Sequence, residues 1–122
     1  MQPAVINIFE KAARKAGRVL IRDFGEIENL QIKSKGVGDF VTNTDLKVEK
    51  LLIETLSYYY PNAIFLTEEQ ENKENIENQK EAIVIDPIDG TSNFIHGIPF
   101  VAIIIARVVN NEKIDGIIYN PI

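Results

Sequence analysis

Two aspartates three residues apart, Asp86 and Asp89, are the residues of this chain best suited to catalysis. They follow an apolar run, Ala82 to Ile85, that predicts a buried strand. Gly90 comes next and permits a tight turn or the close approach of a ligand to the backbone. Carboxylates at a strand end, beside exposed backbone N–H groups, form a site for a cation and an anion together. The pattern therefore indicates a divalent metal ion with a bound phosphate.

Magnesium fits such a site, because Mg²⁺ prefers hard oxygen ligands and keeps several of its waters. The candidate ligands are Asp86, Asp89 and Glu68, the last of which follows a short apolar strand, Ile64 to Leu66. Hydrolysis of a phosphate ester needs phosphate charge to be neutralised and a water to be made nucleophilic. Thr91, just past the aspartates, could orient that water or cap a helix. On spacing alone, an ordinary turn followed by a helix cap also explains Asp-x-x-Asp-Gly, so that alternative stays open.

Other chemistries find less support in the sequence. The chain has no cysteine, which excludes disulfides and thiolate metal sites, and it has one histidine, His96, which argues against zinc. Ser92 lacks the Gly-x-Ser-x-Gly context of a nucleophile elbow. We therefore interpret His96 as a structural residue.

Composition indicates a single soluble domain. The chain has 122 residues, of which 45% are hydrophobic and 25% charged, and its net charge is −5. This charge gives no electrostatic reason to expect nucleic acid or an anionic membrane as a partner, although it does not exclude a local basic patch. No apolar run is long enough to span a bilayer and no signal peptide is recognisable. We expect a cytoplasmic protein.

Two amphipathic helices are predicted to position these residues. Apolar residues at spacings of three and four predict a helix from Ala4 to about Asp23, ended by Gly25. A second helix is predicted from Asp45 to about Tyr59, with Thr44 as its N-cap. Asp45 would then lie in the first turn, where a carboxylate is favoured by the helix dipole.

Loops and strands complete the predicted elements. Residues 30–42 contain two glycines and mixed charge, which favours a mobile loop with solvated lysines, and the polar residues 69–81 predict a flexible segment. Pro87 is expected to take the chain out of the sheet. The run from Val101 to Val109 is almost entirely apolar, so we expect helices on both faces of the sheet. A hairpin turn at residues 110–111 leads to a return strand over residues 114–119.

Several motifs together resemble the inositol monophosphatase family, most closely its bacterial, extragenic-suppressor branch. The segment from Asp86 to Phe94 is similar to the metal-binding motif of that family. The segments 39–45, 65–69, 96–100 and 118–121 resemble further family motifs in the same order and spacing. Thr67 departs from the pattern, because the family has glycine there, and we expect the change to be harmless unless the position needs a positive φ.

The resemblance implies an α+β fold with layered αβαβα architecture. Family members are roughly twice as long, so residues 1–122 are expected to form only the N-terminal part of the domain, with the C-terminal half missing. In this part we expect two helices packed on a largely antiparallel sheet. The resemblance also implies a Mg²⁺-dependent, lithium-sensitive enzyme that is a homodimer at full length.

The resemblance further assigns the metal ligands. By similarity, Glu68, Asp86 and the backbone carbonyl of Ile88 would hold the first Mg²⁺. Asp86 and Asp89 would hold the second. Glu68 would also serve a weaker third ion through water.

Catalytic and substrate-binding roles are implied in the same way. Thr91, hydrogen-bonded to Asp45, would help to activate the attacking water, together with Glu68. The backbone N–H groups of Gly90 and Thr91 would receive the phosphate, with Asp89 beside the substrate.

The expected activity is hydrolysis of a phosphate monoester, with myo-inositol monophosphate as the first candidate substrate. Relatives with the same metal motif act on fructose 1,6-bisphosphate, 3′-phosphoadenosine 5′-phosphate or histidinol phosphate, and the sequence does not choose among them. A different class is a regulatory protein that associates with RNA polymerase or the ribosome, as some bacterial members do with the transcription machinery. The 122-residue chain by itself is expected to bind Mg²⁺ weakly and to be inactive.

Overall fold

The computed structural model describes residues 4–32, 36–67 and 81–122, apart from the side chains of residues 30–32. Four helices and four strands lie in these ranges. In chain order they are α1 (Ala4–Phe24), α2 (Ile27–Ile32), α3 (Val37–Tyr59), β1 (Ile64–Thr67), β2 (Glu81–Asp89), α4 (Thr91–Ile95), β3 (Ala102–Val109) and β4 (Glu112–Tyr119).

Helix α1 confirms the first predicted helix. Its buried stripe consists of small and apolar residues at spacings of three and four, which lets the helix approach its neighbours closely: Phe9, Ala12, Ala13, Ala16 and Leu20. The helix ends at Phe24, where the N–H of Gly25 donates to the carbonyl of Ile21 at 3.1 Å.

Helix α3 begins at Val37, eight residues before the predicted start at Asp45, so the prediction of a loop over residues 37–42 was wrong. Residues 27–32 form α2, and residues 33–35 lie outside the described part of the chain. The apolar stripe of α3 continues N-terminally through the buried Val41. Packing of this stripe outweighs the low helix propensity of the glycines at positions 36 and 38. Gly36 precedes the helix with φ +67°.

Thr44 is therefore not an N-cap but a buried residue inside α3. Its hydroxyl lies 3.0 Å from the carbonyl of Phe40 and 2.7 Å from a carboxylate oxygen of Asp23, at the end of α1. Lys47 donates to the same carboxylate at 3.0 Å. This cluster joins the two long helices, and it places Asp45 inside α3, away from the first turn.

The sheet has strand order β1-β2-β3-β4. β1 pairs with β2 in parallel, and the other two pairings are antiparallel. Helices α1 and α3 pack on the face whose central residues are fully buried, namely Ile83, Ile85, Ile103 and Ile105. The predicted arrangement of helices on a largely antiparallel sheet is confirmed.

The opposite face of the sheet is more open. On it Ile118 is 77% exposed, and Ile104 and Ala106 are partly exposed. In the described part of the chain the helices thus cover one face of the sheet, whereas the sequence analysis predicted helices on both faces. At the tip of the sheet, Asn110 and Asn111 have φ of 50° and 70°, which confirms the predicted hairpin turn.

Pro87 does not take the chain out of the sheet as predicted. β2 continues to Asp89, and its pairing with β3 loses register between Asp86 and Asp89. The irregularity accommodates a residue that has no N–H for the ladder. The strand therefore carries both aspartates at its end.

Candidate active site

A small cleft lies where the end of β2 meets helix α3. Its volume is about 50 Å³. The residues that line it combine carboxylates, hydroxyls and backbone: Asp45, Glu49, Thr67, Asp86, Pro87, Ile88 and Thr91. Four of the residues named from the sequence, Asp45, Asp86, Ile88 and Thr91, are thus brought together from segments more than 40 positions apart.

Glu49 lines this cleft and was missed by the sequence interpretation. It lies four residues after Asp45 in α3, so both side chains lie on the same face of the helix. That spacing was visible in the sequence. It was overlooked because Asp45 was assigned to the first turn, which explained its carboxylate without a partner.

The hydroxyl of Thr91 donates to the backbone carbonyl of Ile88 at 3.2 Å. This bond closes the turn after β2 and holds the hydroxyl in the cleft. Asp45 lines the same cleft, but the hydroxyl proton of Thr91 is directed to Ile88 in this structure. The catalytic roles of the two residues remain predictions.

Asp89 opens onto a different cavity from Asp86. This second cavity has a volume of about 330 Å³ and is lined by Asp89, Gly90, Asn93, Phe100, Val101, Ala102, Ile118 and Asn120. The pairing of β2 with β3 is irregular between the two aspartates, and in this structure they line different cavities. A second metal ion shared by the two aspartates therefore remains a prediction.

The turn between the two cavities depends on Gly90. Its φ is +90°, and a Cβ atom at this position would lie 2.9 Å from the carbonyl oxygen of Phe100. The side-chain amide of Asn93 donates to the same oxygen at 2.9 Å. The glycine is thus required both for its conformation and for space, as the tight turn in the sequence indicated.

His96 has a structural contact in agreement with its interpretation. Its Nδ1 lies 2.7 Å from the backbone carbonyl of Ser92. A carbonyl only accepts hydrogen bonds, so Nδ1 must carry the hydrogen. The ring follows the last residue of α4 and is exposed.

Glu68 and residues 69–80 of the predicted flexible segment lie outside the described residues, whereas Glu81, the last residue of that prediction, is the first residue of β2. Thr67, just before Glu68, is the last residue of β1, and the non-glycine residues with positive φ in the described ranges are Asn110 and Asn111. The threonine at the family's glycine position is therefore unstrained, as expected.

The donor set of the cleft fits Mg²⁺. Within the described ranges no three acidic or histidine side chains converge on one metal position. Mg²⁺ does not need such a cage, because it binds one or two carboxylates and completes its shell with waters and substrate phosphate. Asp86 supplies a carboxylate, and the carbonyl of Ile88 keeps one lone pair beyond its bond with Thr91.

The chain belongs to the inositol monophosphatase family, whose model matches residues 1–122. This confirms the resemblance noted in the sequence.

Individual relatives carry two kinds of name. An inositol-1-monophosphatase of Mesorhizobium japonicum is 47% identical over 118 residues, which cover 97% of this chain and 44% of the relative. A Nus factor SuhB of Xylella fastidiosa is 38% identical over 122 residues, 100% of this chain and 43% of the relative.

A solved structure agrees with this assignment. The extragenic suppressor protein suhB of Bartonella henselae superposes with a TM-score of 0.80 at 42% identity, over 98% of this chain and 44% of that one. The chain thus spans less than half the length of the relatives it matches. Among the described residues, no helix is long and apolar enough to cross a membrane.

Proposed function

We propose that the full-length protein is a Mg²⁺-dependent phosphate monoester hydrolase and that myo-inositol monophosphate is its substrate. The observation that carries the proposal is the cleft at the end of β2, where Asp45, Asp86, Ile88 and Thr91 meet in a chain of the inositol monophosphatase family. The first two relatives at 47% and 42% identity are named inositol-1-monophosphatase.

Asp86, the carbonyl of Ile88 and Glu68 would hold one Mg²⁺, and Asp86 with Asp89 would hold a second. When bound, the metal neutralises phosphate charge and lowers the pKa of a coordinated water. Asp86 is the residue common to both sets. It is therefore the ligand whose loss should cost most.

The remaining cleft residues orient water and phosphate. The hydroxyl of Thr91, which donates to Ile88, would accept one hydrogen bond from the attacking water, and the carboxylate of Asp45 would accept the other. The backbone N–H groups of Gly90 and Thr91 bind the phosphate, beside Asp89. Glu49 adds a further negative charge, which favours a cation in the cleft.

The experiment is a panel of phosphate-release assays on the full-length protein. The substrates are myo-inositol 1-phosphate, fructose 1,6-bisphosphate, 3′-phosphoadenosine 5′-phosphate and histidinol phosphate, each with Mg²⁺ and with a chelator. We expect Mg²⁺-dependent release, highest with myo-inositol 1-phosphate, inhibited by lithium, from a homodimer. Release that is equal with the chelator would contradict the metal assignment, and preference for another ester would contradict the substrate.

A regulatory role is the second candidate, favoured by relatives named Nus factor SuhB at 36–38% identity. The full-length protein would then bind a component of the transcription machinery. Purified RNA polymerase and ribosomes tested separately for binding would decide this, because binding by neither would count against the role. The phosphatase assays are independent of that result.

A further inference from the structure

Five basic side chains form a stripe along the exposed face of α1. The basic stripe, as we call it, consists of Lys11, Arg14, Lys15, Arg18 and Arg22, and all five are exposed. Their spacings of three and four residues place them within one sector of the helix, opposite its buried residues. At a rise of 1.5 Å per residue, the stripe is about 16 Å long.

The charge of this stripe is only partly compensated. Glu10 pairs with Arg14 at 2.9 Å, and the buried Asp23 lies 3.3 Å from the Nε of Arg22. Within the described part of the chain, Lys15 and Arg18 make no ion pair. Helix α1 carries five basic and two acidic residues, so it has a local charge of +3 in a chain whose net charge is −5.

Two tyrosines, one partly buried and one exposed, lie at one end of the basic stripe. The ammonium group of Lys11 donates to the hydroxyl of Tyr59 at 3.1 Å. Tyr58 meets Tyr59 edge-on, with ring centroids 5.1 Å apart, and is 82% exposed. The ring of Tyr58 is thus open to solvent and connects to the end of the basic stripe through Tyr59.

We propose that the basic stripe and Tyr58 together bind single-stranded nucleic acid. Proteins that bind single strands combine a positive track for phosphates with aromatic side chains on which bases stack. A duplex keeps its bases inside and would leave Tyr58 unused, and an acidic protein segment needs the cations but not the ring. The net charge of the chain is negative because most of its acidic residues lie outside α1, so net charge alone does not indicate this positive surface.

The length of the stripe sets the expected footprint. With one phosphate per 3.4 Å of a stacked strand, about 16 Å accommodates roughly five phosphates. Each neutralised phosphate contributes about −0.7 to the slope of log K against log salt. Loss of two such contacts therefore changes the slope by about 1.4. Between 1 M and 0.1 M salt this difference in slope amounts to a roughly 25-fold weaker affinity.

The test measures binding of the full-length protein to a fluorescent 12-nucleotide strand, as RNA and as DNA, between 0.05 and about 0.3 M salt. The double variant Lys15→Gln/Arg18→Gln removes two cations of the stripe. The control Lys50→Gln/Lys113→Gln makes the same charge change at exposed lysines off the stripe. Tyr58→Ala removes the ring, and circular dichroism checks that each variant is folded.

We expect the stripe variant to bind about 25-fold more weakly at 0.1 M salt with a shallower slope, and the control to bind nearly as the wild type. Tyr58→Ala should weaken binding at least about fivefold and leave the slope unchanged. Binding of either strand chemistry supports the proposal. Equal losses of affinity in the stripe and control variants would overturn the proposal. It would also be overturned if polyglutamate, an acidic polypeptide, bound as tightly as the strands and Tyr58→Ala had no effect. The stripe shares no residue with the acidic cleft, so these outcomes are separate from those of the phosphatase assays.

Discussion

Replacing Gly90 with alanine tests how the turn after β2 is held. The φ of +90° disfavours an L-residue by about 1–2 kcal/mol. In addition, the new Cβ would lie 2.9 Å from the carbonyl oxygen of Phe100. That atom is backbone and is also held by Asn93, so it moves only with the loop. Together we expect Gly90→Ala to lower the free energy of unfolding by about 2–5 kcal/mol.

Two other glycines provide matched controls. Gly36 also has positive φ, at +67°, but no described atom lies within 4 Å of its Cβ position, so Gly36→Ala isolates the conformational cost of about 1 kcal/mol. Gly38 lies in α3 with ordinary φ and open space. Gly38→Ala should therefore stabilise the protein by about 0.5 kcal/mol.

Urea unfolding of the three variants measures these differences, and phosphate release measures their effect on the site. Displacement of the turn shifts Asp89 and Thr91, and a 1 Å displacement can cost about 100-fold in rate. If Gly90→Ala is no less stable than Gly36→Ala, then the loop of Phe100 yields freely and the argument from close contact is wrong.

Two further predictions concern partly buried ion pairs. Burial raises the pKa of Asp23, but hydrogen bonds from Thr44 and Lys47 outweigh it and leave the pKa below its ordinary value. Asp23→Asn should thus cost about 1–2 kcal/mol at pH 7, measured by urea unfolding. The difference should shrink progressively as the pH falls below about 4 and be lost only below the lowered pKa of the folded state. A difference independent of pH would refute this origin. Arg107 contacts Glu81 at 2.8 Å with one guanidinium nitrogen and Asp115 at 3.5 Å with another. The lysine side chain has a single nitrogen, so Arg107→Lys should lower the free energy of unfolding by about 1 kcal/mol in the same assay. No loss of stability would show that the two-pronged contact of the guanidinium is dispensable.

The sequence predicted the elements with a strong apolar period. Spacing and turn residues alone predict the first helix, the two strands β1 and β2, and the β3–β4 hairpin. The acids at the end of β2 could be singled out because they follow a buried strand and precede a Gly-Thr turn, although spacing alone also allowed a turn with a helix cap. The family resemblance then assigned roles that spacing had left open.

The start of α3 could not be read from local signals. Thr44 before Asp45 has the form of an N-cap, yet its hydroxyl is used by Asp23, a residue 21 positions away. Tertiary contacts of this kind override local propensity. In the same way, β2 continues through Pro87 to Asp89, which proline alone argued against, and the two aspartates at its end line different cavities.

The acidic cleft as a Mg²⁺ site is tested most directly by one variant. Hydrolysis of myo-inositol 1-phosphate by the full-length protein would be followed against Mg²⁺ concentration for the wild type, Asp86→Asn and the control Asp39→Asn, whose carboxylate is exposed and outside the cleft. We predict Mg²⁺-dependent turnover in the wild type and the control, and a loss of at least about 100-fold in Asp86→Asn. Equal turnover in all three proteins would contradict the assignment of Asp86 as the metal ligand on which the activity depends.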